Sequence, residues 1–181
     1  MASRILNVAL YQTGWFCCVL GAARGHPWLG AGAATILLLA HLALVTDRQR
    51  EIRLVLAAAL IGGAVDSLQS CLGLLHFRSG YVIGCIAPVW ILLMWMQFAT
   101  MLRFSLAFLA GRYVLAAVLG ALGGPLAFWA GQRLGGVTFG IPAWRSLAVL
   151  AVVWAVVFPV LLRLAAGRDK TAVPGRYRWL S

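Results

Sequence analysis

Six apolar runs, at residues 5–23, 28–45, 54–75, 88–109, 113–130 and 144–162, leave this 181-residue chain little choice of solvent. Each approaches the roughly 20 residues that a helix needs to cross a hydrocarbon core of about 30 Å. Backbone groups in lipid must be satisfied within the segment, and the alternation of a barrel strand is absent, so the runs read as helices. Hydrophobic residues make up 63% of the chain and charged ones 10%, with a mean hydropathy of +0.94. A soluble domain carries about 25% charged residues and could not hide this much apolar surface. The expected fold is an all-α membrane protein: a six-helix transmembrane bundle over residues 1–164, then a basic tail at 165–181. Gly21, Ala22 and Ala23 faintly resemble a signal-peptide cleavage site, but Asn7, Gln12 and Trp15 interrupt the run before them, which reads as a retained span.

The formal charge of +11 comes from 15 basic against 4 acidic residues. With six crossings, the termini share a side with the second and fourth loops. That side collects eleven basic residues: Arg4, Arg48, Arg50, Arg53, Arg103, Arg112, Arg163, Arg168, Lys170, Arg176 and Arg178. The other side has four: Arg24, Arg78, Arg133 and Arg145. The positive-inside bias therefore places both termini in the cytoplasm. Topology and anionic lipid account for the arginines better than nucleic acid does. The tail, with Tyr177 and Trp179, is expected on the inner leaflet or as a disordered topology signal.

Cys17, Cys18, Cys71 and Cys85 fall toward the outer side, where an oxidising compartment would allow a disulfide such as Cys71 to Cys85. The competing reading is that all four are small buried hydrophobes. His26, His41 and His76 lack metal-ligand spacing, and no cofactor is expected.

Asp66 stands alone in the third run, where a carboxylate costs a few kcal/mol or more unless paired, protonated or hydrated. Around it, Gly62, Gln69, Ser70 and Gly73 fall on one helical stripe. Asn7, Tyr11, Gly14 and Cys18 make a second stripe in the first run; Trp90, Met94, Gln97, Met101 and Ser105 make a third in the fourth. Three such stripes should face one another. Counted at 1.5 Å per residue, Asp66 lies roughly 20 Å from the inner end of its helix and Arg103 about 9 Å from the inner end of its own. Arg103 is therefore expected to snorkel to the interface, leaving Asn7, Tyr11, Gln12 and Gln97 as hydrogen-bond partners for Asp66. Asp66 then either titrates or holds a ligand, or clasps the helices in register. Gly120, Gly123, Gly124 and Pro125 interrupt the fifth run, with Gly124 and Pro125 as a hinge or as an inert kink. Gly131, Gly135, Gly136 and Gly140 read as a loose outer turn.

Four motifs occur in order along the chain. They are Asn7, Tyr11-Gln12, Trp15-Phe16 and Cys18-Val19; then Asp66; then Pro88-Val89-Trp90, Trp95, Phe98-Ala99-Thr100-Met101-Leu102 and Ser105-Leu106; then Gly123-Gly124-Pro125-Leu126-Ala127, Ala130-Gly131 and Leu134-Gly135. In these, over residues 7–162, the chain resembles the bacterial integral-membrane domain-of-unknown-function family 2878. Arg103-Phe104 departs from the more polar pair expected before Ser105. The resemblance implies an inner-membrane protein of a family without an established activity, associated with fatty-acyl-modifying enzymes and hence with lipid metabolism.

Two functional readings follow. The tryptophan-rich, weakly polar interior fits a non-catalytic lipid-binding or scaffold component whose partners are membrane lipids and acyl-modifying membrane enzymes. The alternative is a small proton-linked transporter or exporter using Asp66, although no internal duplication relates the two halves and a homodimer would have to supply the missing one. An intramembrane enzyme fits less well, because no histidine or second acid lies within helical reach of Ser67, Ser70 and Asp66.

Overall fold

The computed structural model describes residues 2–167 together with Gly175 and Tyr177. Among these residues six α-helices form one bundle: α1 (Ala2–Ala23), α2 (Pro27–Leu44), α3 (Arg48–Cys71), α4 (Val89–Leu102), α5 (Tyr113–Arg133) and α6 (Ala143–Ala166). Five are long and apolar enough to cross a membrane. The basic tail assigned to 165–181 lies outside the described residues except at 165–167, Gly175 and Tyr177. Local chemistry sets several boundaries. Pro27 opens α2, where its missing N–H costs nothing. Asp47 caps α3 by accepting from the Arg50 N–H at 3.2 Å, and Glu51 follows in the first turn. Gly167, at φ 68°, ends α6.

The fourth run does not continue as one helix to residue 109. α4 spans 14 residues, about 21 Å and too short to cross the membrane alone. It ends where Arg103 turns back onto α3 and Ser105 bonds α1; a short 3-10 turn, Ala107–Leu109, completes the run. α4 is the central post, packed against α1, α2, α3 and α6. α1 pairs with α2 and α5 with α6, so the α5–α6 hairpin joins the rest mainly through α6.

The connections at one end are not loose. Leu75–Phe77 (β1) pairs antiparallel with Val137–Phe139 (β2), setting Leu75 opposite Phe139, His76 opposite Thr138 and Phe77 opposite Val137. The expected glycine-rich turn thus contains a strand, short enough that no alternation reveals it. A Cys71–Cys85 disulfide closes the α3–α4 connection at the same end, while Cys17 and Cys18 are free.

Two glycines seat two tryptophans. A Cβ added at Gly62 would strike the Trp95 ring, and one at Gly124 would strike the Trp154 ring. Trp95 and Trp154 stack on each other with centroids 4.7 Å apart and planes 12° from parallel. The indoles of α4 and α6 are therefore sandwiched between the bare backbones of α3 and α5. Replacing either glycine by valine should lower stability by about 1–3 kcal/mol through overpacking, read as a lower thermal midpoint in non-ionic micelles. Gly123 has open space where its Cβ would stand, so Gly123→Val is the neutral control.

Candidate functional site

Asp66 is buried, 1% exposed, at mid-bundle. Its Oδ2 accepts from Trp95 Nε1 at 2.8 Å and its Oδ1 from Gln69 Nε2 at 3.1 Å. Indole nitrogen can only donate, so Oδ2 is the acceptor in the Trp95 bond. Among the described residues no cation pairs with Asp66; the ion pairs present all involve Asp47 or Glu51.

Three stripes do converge on the interior, but the partners differ from those expected. Asn7 donates to the Thr100 carbonyl at 3.2 Å and accepts from Ser105 Oγ at 2.7 Å. Gln97 donates to the Ala34 carbonyl at 2.8 Å, with its amide lying over Gly14. Trp90 donates to the Ser79 carbonyl at 2.9 Å. Gln12 is exposed. Of the polar residues that helical spacing placed around it, only Gln69 bonds Asp66; Tyr11 and Trp90 share a cavity with it. Gly124 has a packing role as the seat of Trp154, with Pro125 beside it inside an α5 that runs from Tyr113 to Arg133.

That cavity has a volume of about 50 Å³ and lies between α1 and α4 on one side and α5 and α6 on the other. Tyr11, Trp15, Met94, Phe98, Phe128 and Trp154 supply much of its wall, which Phe77 and Val137 of the two strands complete. Among the described residues Asp66 is its one carboxylate. The volume exceeds the roughly 10–15 Å³ that a single water needs. Trp154 Nε1 is buried without a hydrogen-bond partner among the described residues.

A second polar cluster went unrecognised in the sequence. Arg103 does not snorkel. It is 8% exposed and donates to Glu51 Oε2 at 2.9 Å, with Asp47 at 3.7 Å. Glu51 Oε1 faces His41 Nε2 at 3.1 Å, and His41 Nδ1 faces the Tyr177 hydroxyl at 3.0 Å. Glu51 only accepts, so Nε2 carries the hydrogen and, in a neutral ring, Nδ1 accepts from Tyr177. The Gly175 N–H donates to the Arg103 carbonyl at 2.7 Å, and Tyr177 pairs with Val45 and packs against Phe104. Spacing gives no hint of Glu51 as a buried acid, because it stands in an arginine-rich stretch between two apolar runs. The available signal was that Glu51 and Arg103 fall at the same end of the bundle.

Removing Arg103 strands Glu51 as an unpaired buried charge, so Arg103→Ala should cost about 3–5 kcal/mol. Asp47 is half-exposed, and Asp47→Ala should cost about 1 kcal/mol, mostly the lost helix cap. Thermal midpoints in micelles would rank the two. Burial pushes the Tyr177 hydroxyl from 10.0 up to about 12, a contact with Asn7 opposing and the Glu51 charge adding. Because the folded value is the higher one, the Tyr177 contact contributes fully below pH 10 and is lost as pH rises toward 12. The stability difference between wild type and Tyr177→Phe, about 1 kcal/mol for one hydrogen bond, should vanish across that window.

A family model described as "Protein of unknown function (DUF2878)" matches residues 4–160. No curated protein and no solved structure matches the chain.

Proposed function

We propose that this chain, which belongs to the DUF2878 family, is a non-catalytic lipid-binding component of a bacterial inner membrane, holding an amphiphile in the cavity beside Asp66. The observation that carries this reading is the cavity itself. Helices α1, α3, α4, α5 and α6 and both short strands wall it with aromatic and aliphatic groups, and one carboxylate stands in that wall. Apolar pockets with a few fixed polar groups are the usual form of a small-ligand site.

Several points favour binding over catalysis. Tyr11 is the cavity's other ionisable wall residue, and both oxygens of Asp66 already accept hydrogen bonds. The cytoplasmic placement of both termini rests on the eleven-to-four distribution of basic residues. Association with acyl-modifying enzymes rests on the family resemblance.

Ala127 lines the cavity from α5 and is partly exposed, so a larger side chain can enter there. Wild-type protein purified in mild non-ionic detergent should carry bound lipid detectable by native mass spectrometry, and Ala127→Trp should lose most of it while keeping its thermal midpoint. Lipid-free wild type, or equal lipid in both proteins, would remove the cavity from the function.

A further inference from the structure

We infer that the polar head of the ligand at Asp66 is a cation, an alkylammonium group, rather than a carboxylate or a neutral hydroxyl. This rests on the lipid-binding reading of the cavity and adds the chemistry that would select among amphiphiles.

Among the described residues Asp66 has no counter-charge. Trp95 Nε1 donates to one oxygen at 2.8 Å, and indole has no acceptor to offer in return. Gln69 Nε2 donates to the other at 3.1 Å and reaches back toward the Val65 carbonyl of its own helix at 3.5 Å, which orients the amide. Both neighbours thus present hydrogens to the carboxyl oxygens, and neither carries a charge. Two neutral donors do not cancel its charge. A buried carboxylate without a counter-charge costs several kcal/mol even after relaxation.

The rest of the molecule is a built-in comparison. Glu51, equally buried, has Arg103 on one oxygen and His41 on the other. Among the described residues a cation stands against Glu51 and none against Asp66, which meets the cavity instead. Among the described residues no basic side chain lines the cavity beside Asp66. α1 brings Tyr11 and Trp15 to the cavity, α4 brings Trp90, Met94 and Phe98, α5 brings Ala127 and Phe128, and α6 brings Trp154; none is basic.

An incoming ammonium would complete the ion pair, and aromatic walls receive a cation better than aliphatic ones because ring faces carry negative charge density. An anionic head would meet the Asp66 charge directly, and a hydroxyl would leave that charge uncancelled. The hydrocarbon part of the ligand would lie along the apolar wall of the cavity.

The test uses the full chain in non-ionic maltoside micelles at neutral pH, titrated with dodecyltrimethylammonium, dodecylamine, dodecanol and dodecanoate at fixed micelle concentration. Quenching of intrinsic tryptophan fluorescence reports occupancy. The two cations should bind about tenfold or more tighter than dodecanol, the range a desolvated ion pair supplies, with dodecanoate weakest. Asp66→Asn, which keeps the side-chain shape, should bring the cations down to the level of dodecanol and leave dodecanol unchanged. Equal binding of all four heads, a preference for dodecanoate, or cation affinity untouched by Asp66→Asn would overturn the cationic assignment while the lipid-binding reading stood. Failure of every probe to bind the wild type would remove both. Should Asp66→Asn fail to fold, the ranking of heads on the wild type decides alone.

Discussion

The stack of Trp95 on Trp154 is the contact on which the middle of this bundle depends. Each indole has one face on its partner and the other on a glycine backbone, Gly62 for Trp95 and Gly124 for Trp154. Ring stacking adds about 0.5–1.5 kcal/mol beyond the area buried. In lipid there is little hydrophobic drive between helices, so close van der Waals approach through small residues must bring them together. The stack joins the α5–α6 hairpin to the α3–α4 pair at mid-depth, and Phe98 reinforces it edge-on against both rings. It also fixes the Trp95 ring plane, and with it the N–H that reaches Asp66.

Polar contacts hold the bundle around this apolar centre at both ends. At one, Arg103, Glu51 and His41 tie α4, α3 and α2, and Arg50 donates to the Ala165 and Ala166 carbonyls at 3.2 and 2.7 Å, closing the C-terminal end of α6. At the other, the two-stranded sheet and the Cys71–Cys85 disulfide fasten connections that would otherwise hang from helix ends. Fixed ends let the interior keep a cavity between α1 and α5 without collapse, because closing it would require one end to slide.

Much of this was legible in the sequence. Length and hydropathy of the runs gave the helices, and helical spacing gave the inward faces of α1 and α3. Spacing failed on α4 for a physical reason: a helix enclosed by four others has no outward face, so Trp95, off the apparent stripe, is as buried as Trp90. Nor does spacing say which helices adjoin, and α1 reaches α4 rather than Asp66, which is why Asn7 met Thr100 instead. The depth estimate separated Arg103 from Asp66 but sent it to solvent, because spacing within one run does not show that Glu51 of α3 lies against it. Gly124 beside Pro125 reads as a hinge in one dimension; only the Trp154 ring above it reveals a seat.

The two buried acids show how one low-dielectric interior sets two different tasks. Glu51 has a guanidinium at 2.9 Å, an arrangement whose coulombic gain offsets desolvation and whose geometry fixes three helices in register. Register could be fixed at Asp66 as well by two neutral donors, and an asparagine or a serine would serve that purpose at lower cost. Keeping a carboxylate there, with donors on both oxygens and a cavity in front, adds a desolvation cost that a clasp does not require. Strain of this kind persists when the surrounding structure overdetermines it and when the exposed group has something to meet. The difference between the two acids is therefore the strongest physical ground for reading Asp66 as a binding group rather than a structural one.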